Sequence, residues 1–79
     1  MSLSSGQIRA ARAFLRWSAK DLAERSGVSV PTIQRLETTD GPLRVKVETL
    51  DRLQRALEGA GVEFLDRNGV RLREEPDRV

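Results

Sequence analysis

Cysteine and histidine are both absent from this 79-residue chain. Their absence removes thiol nucleophiles, disulfides, imidazole bases and the usual zinc-ligand sets together. A lack of cysteine says nothing about compartment. Also missing is any apolar run that approaches a signal peptide or a membrane span, so the expectation is a soluble, cytoplasmic protein with no membrane contact. No Gly-rich phosphate loop and no nucleophile elbow is present. The polar groups that remain, Ser, Lys, Asp and Glu, show no convergent pattern. The chain therefore reads as no enzyme, with no cofactor, no metal and no small-molecule pocket legible in it.

What is present is a short, charged chain. Its length suits one domain near the lower end for an independent core, where self-association is a common aid. Residues 1–45 carry seven Lys/Arg against four Asp/Glu, and residues 46–79 carry seven against eight. The first half is thus the basic half, as a phosphate-facing surface would require. Twelve of the 14 cations are Arg, which suits bidentate contact with phosphate or guanine. An Arg-rich genome explains the same bias.

The densest signal runs from Ser18 to Glu37. Ser18 is a good N-cap, and Asp21 three residues on completes a capping-box-like pair. Trp17 and Leu22 take the staple positions around it. Ser29 repeats the device with Val28 and Ile33, and Pro31 falls in a first helical turn where its missing N–H costs nothing. Gly27 stands between the two units, where a left-handed residue closes the first helix. The pattern predicts helices over about 19–25 and 30–38 joined by a tight turn. The core-packing reading of Trp17 outweighs a base-stacking one. Ser18 and Ser29 serve as caps, with phosphate contact through the helix N-termini compatible with that role.

This stretch resembles the DNA-binding domains of the lambda and 434 phage repressors and of the small bacterial regulators akin to them, the XRE family. The resemblance spans Ile8 to Leu57 and is carried by Arg12, Leu22-Ala23, Gly27-Val28-Ser29, Thr32-Ile33 and Glu37. The chain departs from that family at Ala19, where Gln usually buttresses the recognition helix. The resemblance implies a mainly α, four-helix DNA-binding domain whose second motif helix lies in the major groove. It implies double-stranded DNA as partner, contacted by Lys20, Ser29, Val30, Thr32, Gln34, Arg35, Arg44 and Lys46. Gln34 and Arg35 have the hydrogen-bonding capacity to read adenine and guanine edges, and Val30 and Thr32 can meet a thymine methyl. Pro31 on the same turn reads as structural. Arg44 and Lys46 flank a loop that in the family crosses the DNA backbone. Arg12 and Glu37 match an ion pair beneath the motif. The implied function is a transcriptional regulator, a repressor or autoregulator. The rival reading is a protein-interaction module, such as an antitoxin or a partner of a phage-type regulator.

The rest of the chain frames this motif. Ser4 or Ser5 can cap a first helix to about Arg16, with Ile8, Ala11, Leu15 and Phe14 as its apolar stripe. Thr38 to Pro42 is a turn-rich break. A fourth helix is predicted over about 47–59, with Val47, Leu50, Leu53 and Leu57 inward and Lys46 as a weak cap. Residues 62–65 and 70–73 alternate at period two around Asp66-Arg67-Asn68-Gly69, which reads as a C-terminal β-hairpin in place of the fifth helix common in repressors. Two registers compete. An Asn68-Gly69 loop pairs Leu65 with Leu72. A three-residue loop ending in Gly69 pairs Phe64 with Leu72 and Glu63 with Arg73, and is favoured because it gathers Val62, Phe64, Val70 and Leu72 on one face and because Asp66 and Gly69 suit a type I turn plus bulge.

The division expected is 1–61 for the helix-turn-helix unit, 62–73 for the hairpin of the same domain, and 74–79 for a frayed tail. An isolated hairpin leaves open edges. The expectation is therefore a homodimer formed through the hairpin, with Phe64, Leu65, Val70 and Leu72 at the interface. The alternatives are a hairpin packed wholly on its own helices and an interface on the fourth helix.

Overall fold

The computed structural model describes residues 3–39, 45–66 and 69–73. Arg44, most of the Thr38–Pro42 break, Asn68 and the tail from 74 to 79 lie outside the described residues. Four helices precede one hairpin: α1 (Ser5–Leu15), α2 (Ala19–Ser26), α3 (Val30–Glu37), α4 (Val47–Gly59), β1 (Val62–Leu65) and β2 (Gly69–Leu72). The fold is mainly helical with a two-stranded antiparallel hairpin at its C-terminal side. Among the described residues no helix is long and apolar enough to cross a membrane.

Local chemistry sets the helix limits. Ser4 caps α1, its hydroxyl accepting from the Gln7 N–H while the Gln7 side chain accepts from the Ser4 N–H. Arg16 ends α1 in a left-handed conformation, φ 57°. Gly27 ends α2 at φ 77°, where a glycine avoids the Cβ penalty. Ile8, Ala11, Leu22, Ile33, Leu36, Leu53, Leu57 and Val62 form the centre of the core, with Leu3, Val28 and Phe64 closing it.

Two apolar residues expected inside are outside. Phe14 is 48% exposed and Val47 83%. At about 100° per residue Phe14 lies roughly 120° round the helix from Ile8, so it leaves the buried stripe that Ile8, Ala11 and Leu15 share. Val47 is the first residue of α4. Its helix buries Leu53 and Leu57 one turn and more further on, and the first turn projects past the core.

The hairpin adopts neither expected register. Val62 pairs with Leu72, Glu63 with Arg71, Phe64 with Val70 and Leu65 with Gly69. The loop is three residues, but it starts one residue earlier than expected. A shift of two in pairing sum keeps the same four side chains on one face. Contacts of the folded chain select it. Glu63 gains Arg71 at 3.1 Å. Gly69 sits where an added Cβ would lie 2.9 Å from that of Leu65, so the close approach requires glycine. Gly69 serves here through its small size, since Gly27 and Gly61 are the glycines with positive φ among the described residues.

Helix α1 runs along the hairpin. At its start Gln7, 1% exposed, donates through Nε2 to the carbonyls of Leu65 (3.2 Å) and Gly69 (3.1 Å). At its end Phe14 and Leu15 border a groove of about 560 Å³ with Gly59, Ala60, Gly61, Leu72 and Arg73.

Candidate nucleic-acid interface

Two cap motifs orient the helix pair. Ser18 Oγ accepts from the Asp21 N–H at 3.0 Å, and Asp21 Oδ2 accepts from the Ser18 N–H at 2.9 Å. These bonds favour the carboxylate and hold the Asp21 pKa below its ordinary value. Past Gly27, the Ser26 hydroxyl accepts from the Val28 N–H, which fixes the turn. Ser29 then caps α3, accepting from the Thr32 N–H and donating to Thr32 Oγ1 at 2.9 Å. The Ser29 and Thr32 hydroxyls thus bond each other at the start of the helix.

Helix α3 buries Ile33, Leu36 and Glu37 and turns the opposite side outward. Pro31, Gln34, Arg35 and Thr38 are exposed, at the i, i+3, i+4, i+7 spacing of one face. Val30 and Thr32 are half-buried at its margins. Pro31 therefore stands in the middle of the exposed face. Gln34 and Arg35 are one turn further along it. Lys20 is exposed in the first turn of α2.

Beside this face lies an open cleft of about 600 Å³, bounded by Thr32 and Arg35 of α3 and by Val45, Lys46 and Thr49. Arg35 and Lys46 are both exposed and give the cleft a cation on each wall. Lys46 is also the N-cap of α4 and makes no side-chain cap hydrogen bond.

Behind the exposed face, α3 is bolted to α1. Arg12 Nε and Nη2 donate to the two Glu37 carboxylate oxygens at 2.7 Å each, a bidentate pair. Its third nitrogen, Nη1, donates to the Trp17 carbonyl at 2.9 Å. One guanidinium thus ties together α1, the α1–α2 turn and the end of α3. The Glu37 hydrogen bonds and charge raise the Arg12 pKa further. Arg9, one turn before Arg12, donates to the Glu37 carbonyl.

Sequence reasoning did not find three of these contacts. Arg9 and Gln7 act on groups far along the chain, and nothing local marks those distant contacts. The third is the Arg25 guanidinium, 4.6 Å from the centre of the Trp17 ring. That stacking has a faint signal, since it joins the staple position to the last turn of α2. Of the dimer candidates, Phe64 is buried in its own core and Val70 is half-buried, whereas Leu65 and Leu72 are exposed.

A family model described as a helix-turn-helix domain matches residues 5–65. No curated protein matches the chain.

Proposed function

We propose a function from one premise: this chain belongs to the helix-turn-helix domain family, of the XRE and Cro-like DNA-binding kind. The reading is a sequence-specific regulator of transcription that binds double-stranded DNA with α3 in the major groove. Lys20, Ser29, Val30, Thr32, Gln34, Arg35, Arg44 and Lys46 are the proposed DNA contacts. Arg12 and Glu37 hold α3 at its angle. The protein acts as a cytoplasmic homodimer on two half-sites about one helical turn apart.

The observation that carries this reading is the outward face of α3. It presents a donor fork at Arg35 and a two-way amide at Gln34, beside a cleft flanked by Lys46. Arg35 suits guanine O6 and N7, and Gln34 suits adenine N6 and N7. The cations on the cleft suit the phosphate backbone alongside. A repressor needs only to occupy its operator, and such a face is sufficient for occupancy.

Selection of bound duplexes from random DNA tests the reading. The expected result is one enriched, two-fold related sequence with half-sites about 10 base pairs apart. The same sequence placed over a reporter promoter is expected to lower expression. Recovery of unenriched DNA, with binding that ignores sequence, would refute it.

A further inference from the structure

We infer that Lys46 is a site of acylation: the cleft beside α3 holds the phosphate of an acyl phosphate, and the Lys46 amine takes its acyl group, which weakens DNA binding. The consequence for DNA rests on the proposed operator reading. The site itself rests on the cleft and on where the lysines stand.

Arginine stays protonated in water and is not acylated, whereas a lysine amine can be. Twelve of the 14 cations are Arg, which leaves Lys20 and Lys46 as the two lysines of the chain. Both are exposed, and both are among the proposed DNA contacts. The acylatable side chains thus stand where loss of a charge alters phosphate contact.

The two lysines differ in their surroundings. Lys20 precedes Asp21 in the first turn of α2 and feels the charge of that carboxylate, which repels an approaching anion. Lys46 lines an open cleft of about 600 Å³ with Thr32, Arg35, Val45 and Thr49. The Arg35 fork matches two oxygens of a phosphate. The Thr32 hydroxyl accepts from Ser29, so its own hydrogen remains to be donated, and Thr49 brings a second hydroxyl. Glu48, the nearest acid along the chain on that side, is engaged by Arg52 at 3.0 Å. Among the described residues neither Arg35 nor Lys46 is in an ion pair. The cleft therefore offers an anion two cations with no carboxylate competing for them.

A phosphate on Arg35 turns the acyl carbon toward the opposite wall, where Lys46 stands. Lys46, having lost one proton to water, attacks the acyl carbonyl carbon through Nζ. The C–N bond forms, the C–O bond to the phosphate breaks, and inorganic phosphate leaves with the electron pair. The nitrogen gives up a second proton to water. A neutral amide then stands in place of the cation.

Mass spectrometry of the full chain after incubation with acetyl phosphate reads the site. Lys46 is expected to be acetylated at least about threefold faster than Lys20, the order of advantage that an exposed ion pair gives. Arg35→Ala and an excess of inorganic phosphate are each expected to remove that advantage, and an uncharged acetyl thioester is expected to show none. The phosphate competition uses the unaltered chain, so it decides the matter if Arg35→Ala misfolds. Equal rates at the two lysines overturn the assignment, as does a preference that survives phosphate or appears equally with the thioester. Operator titrations read the consequence, each protein against its own untreated sample. Acetylation is expected to lower affinity about tenfold per modified copy at about 0.1 M salt and to lower the salt slope by about one. Lys46→Arg keeps a cation that cannot be acetylated, so treatment is expected to change its affinity far less. A treated wild type that binds as tightly as the untreated protein overturns the effect on DNA. Acetylation at Lys46 in a chain that shows no sequence-specific DNA binding would instead sink the operator reading and leave the site standing.

Discussion

In the proposed reading Arg35 and Arg44 have two kinds of work at the level of single side chains. Arg35 stands on the outward face of α3 and is proposed to read a base edge. Arg35→Ala is expected to cost about 1–3 kcal/mol and to relax preference at one base pair. Arg44→Ala is expected to weaken all sequences alike and to lower the salt slope by about one. Anisotropy titrations on the operator and its single-base variants check both, and an identical, sequence-blind loss in the two mutants would defeat the assignment. Arg12 and Glu37 behave otherwise. Their side chains are 23% and 7% exposed, so removing one leaves a charge with little water. Arg12→Met is expected to cost about 3 kcal/mol, and the Arg12→Met/Glu37→Gln pair less than that. Glu37→Gln alone should be milder, because Arg12 can turn toward solvent. Additive losses in urea unfolding would refute the coupling. Gln7 is the residue that local reading cannot reach. Its capping-box contact to Ser4 is visible at a spacing of three, but Leu65 and Gly69 are 58 and 62 residues away. Gln7→Ala takes a donor from two part-buried carbonyls and is expected to destabilise by about 1–3 kcal/mol. A melting temperature equal to wild type would show that water replaces the amide.

Elements with their own start and stop signals were legible in sequence. The caps at Ser18, Ser29 and Gly27 are local chemistry, and α2 and α3 begin where those signals place them. The hairpin was legible as an element and its register was not. Alternation fixes which side chains share a face, and registers two apart satisfy it equally. The choice fell to a close approach of Gly69 to Leu65 and to the amide of Gln7, both of which need the folded chain. Helix α4 offers a test of its own. Lys46 is its N-cap and supplies no side-chain acceptor. Lys46→Asp is expected to stabilise by about 0.5–2 kcal/mol, through a cap hydrogen bond and a favourable charge at the helix N-terminus. The same change removes a cation from the cleft beside Arg35, so DNA affinity should fall while the melting temperature rises. Movement of both in one direction would mean that Lys46 does not serve these two roles.

At the scale of the molecule the positions of the cations and of the hairpin become one problem. Phosphate contacts release counterions, and log K falls with log salt at about −0.9 per phosphate neutralised. Lys20, Arg44 and Lys46 are the cations proposed for the backbone on each copy, so a dimer on two half-sites neutralises about six phosphates. The expected slope is about −5. With the hairpin expected to join the copies, Leu72→Pro is expected to split the proposed dimer without touching α2, α3 or the start of α4. A lone copy on one half-site keeps about three of those contacts, and its slope should fall to about −3. Its affinity should drop far more than any single phosphate contact explains, because the second copy no longer binds at high effective concentration. Titration of wild type and variant from low to moderate salt, on full and half operators, measures all four slopes. A variant that keeps the full slope would place self-association on a surface other than β2. A wild-type slope near zero would mean that the basic half of the chain does not face DNA.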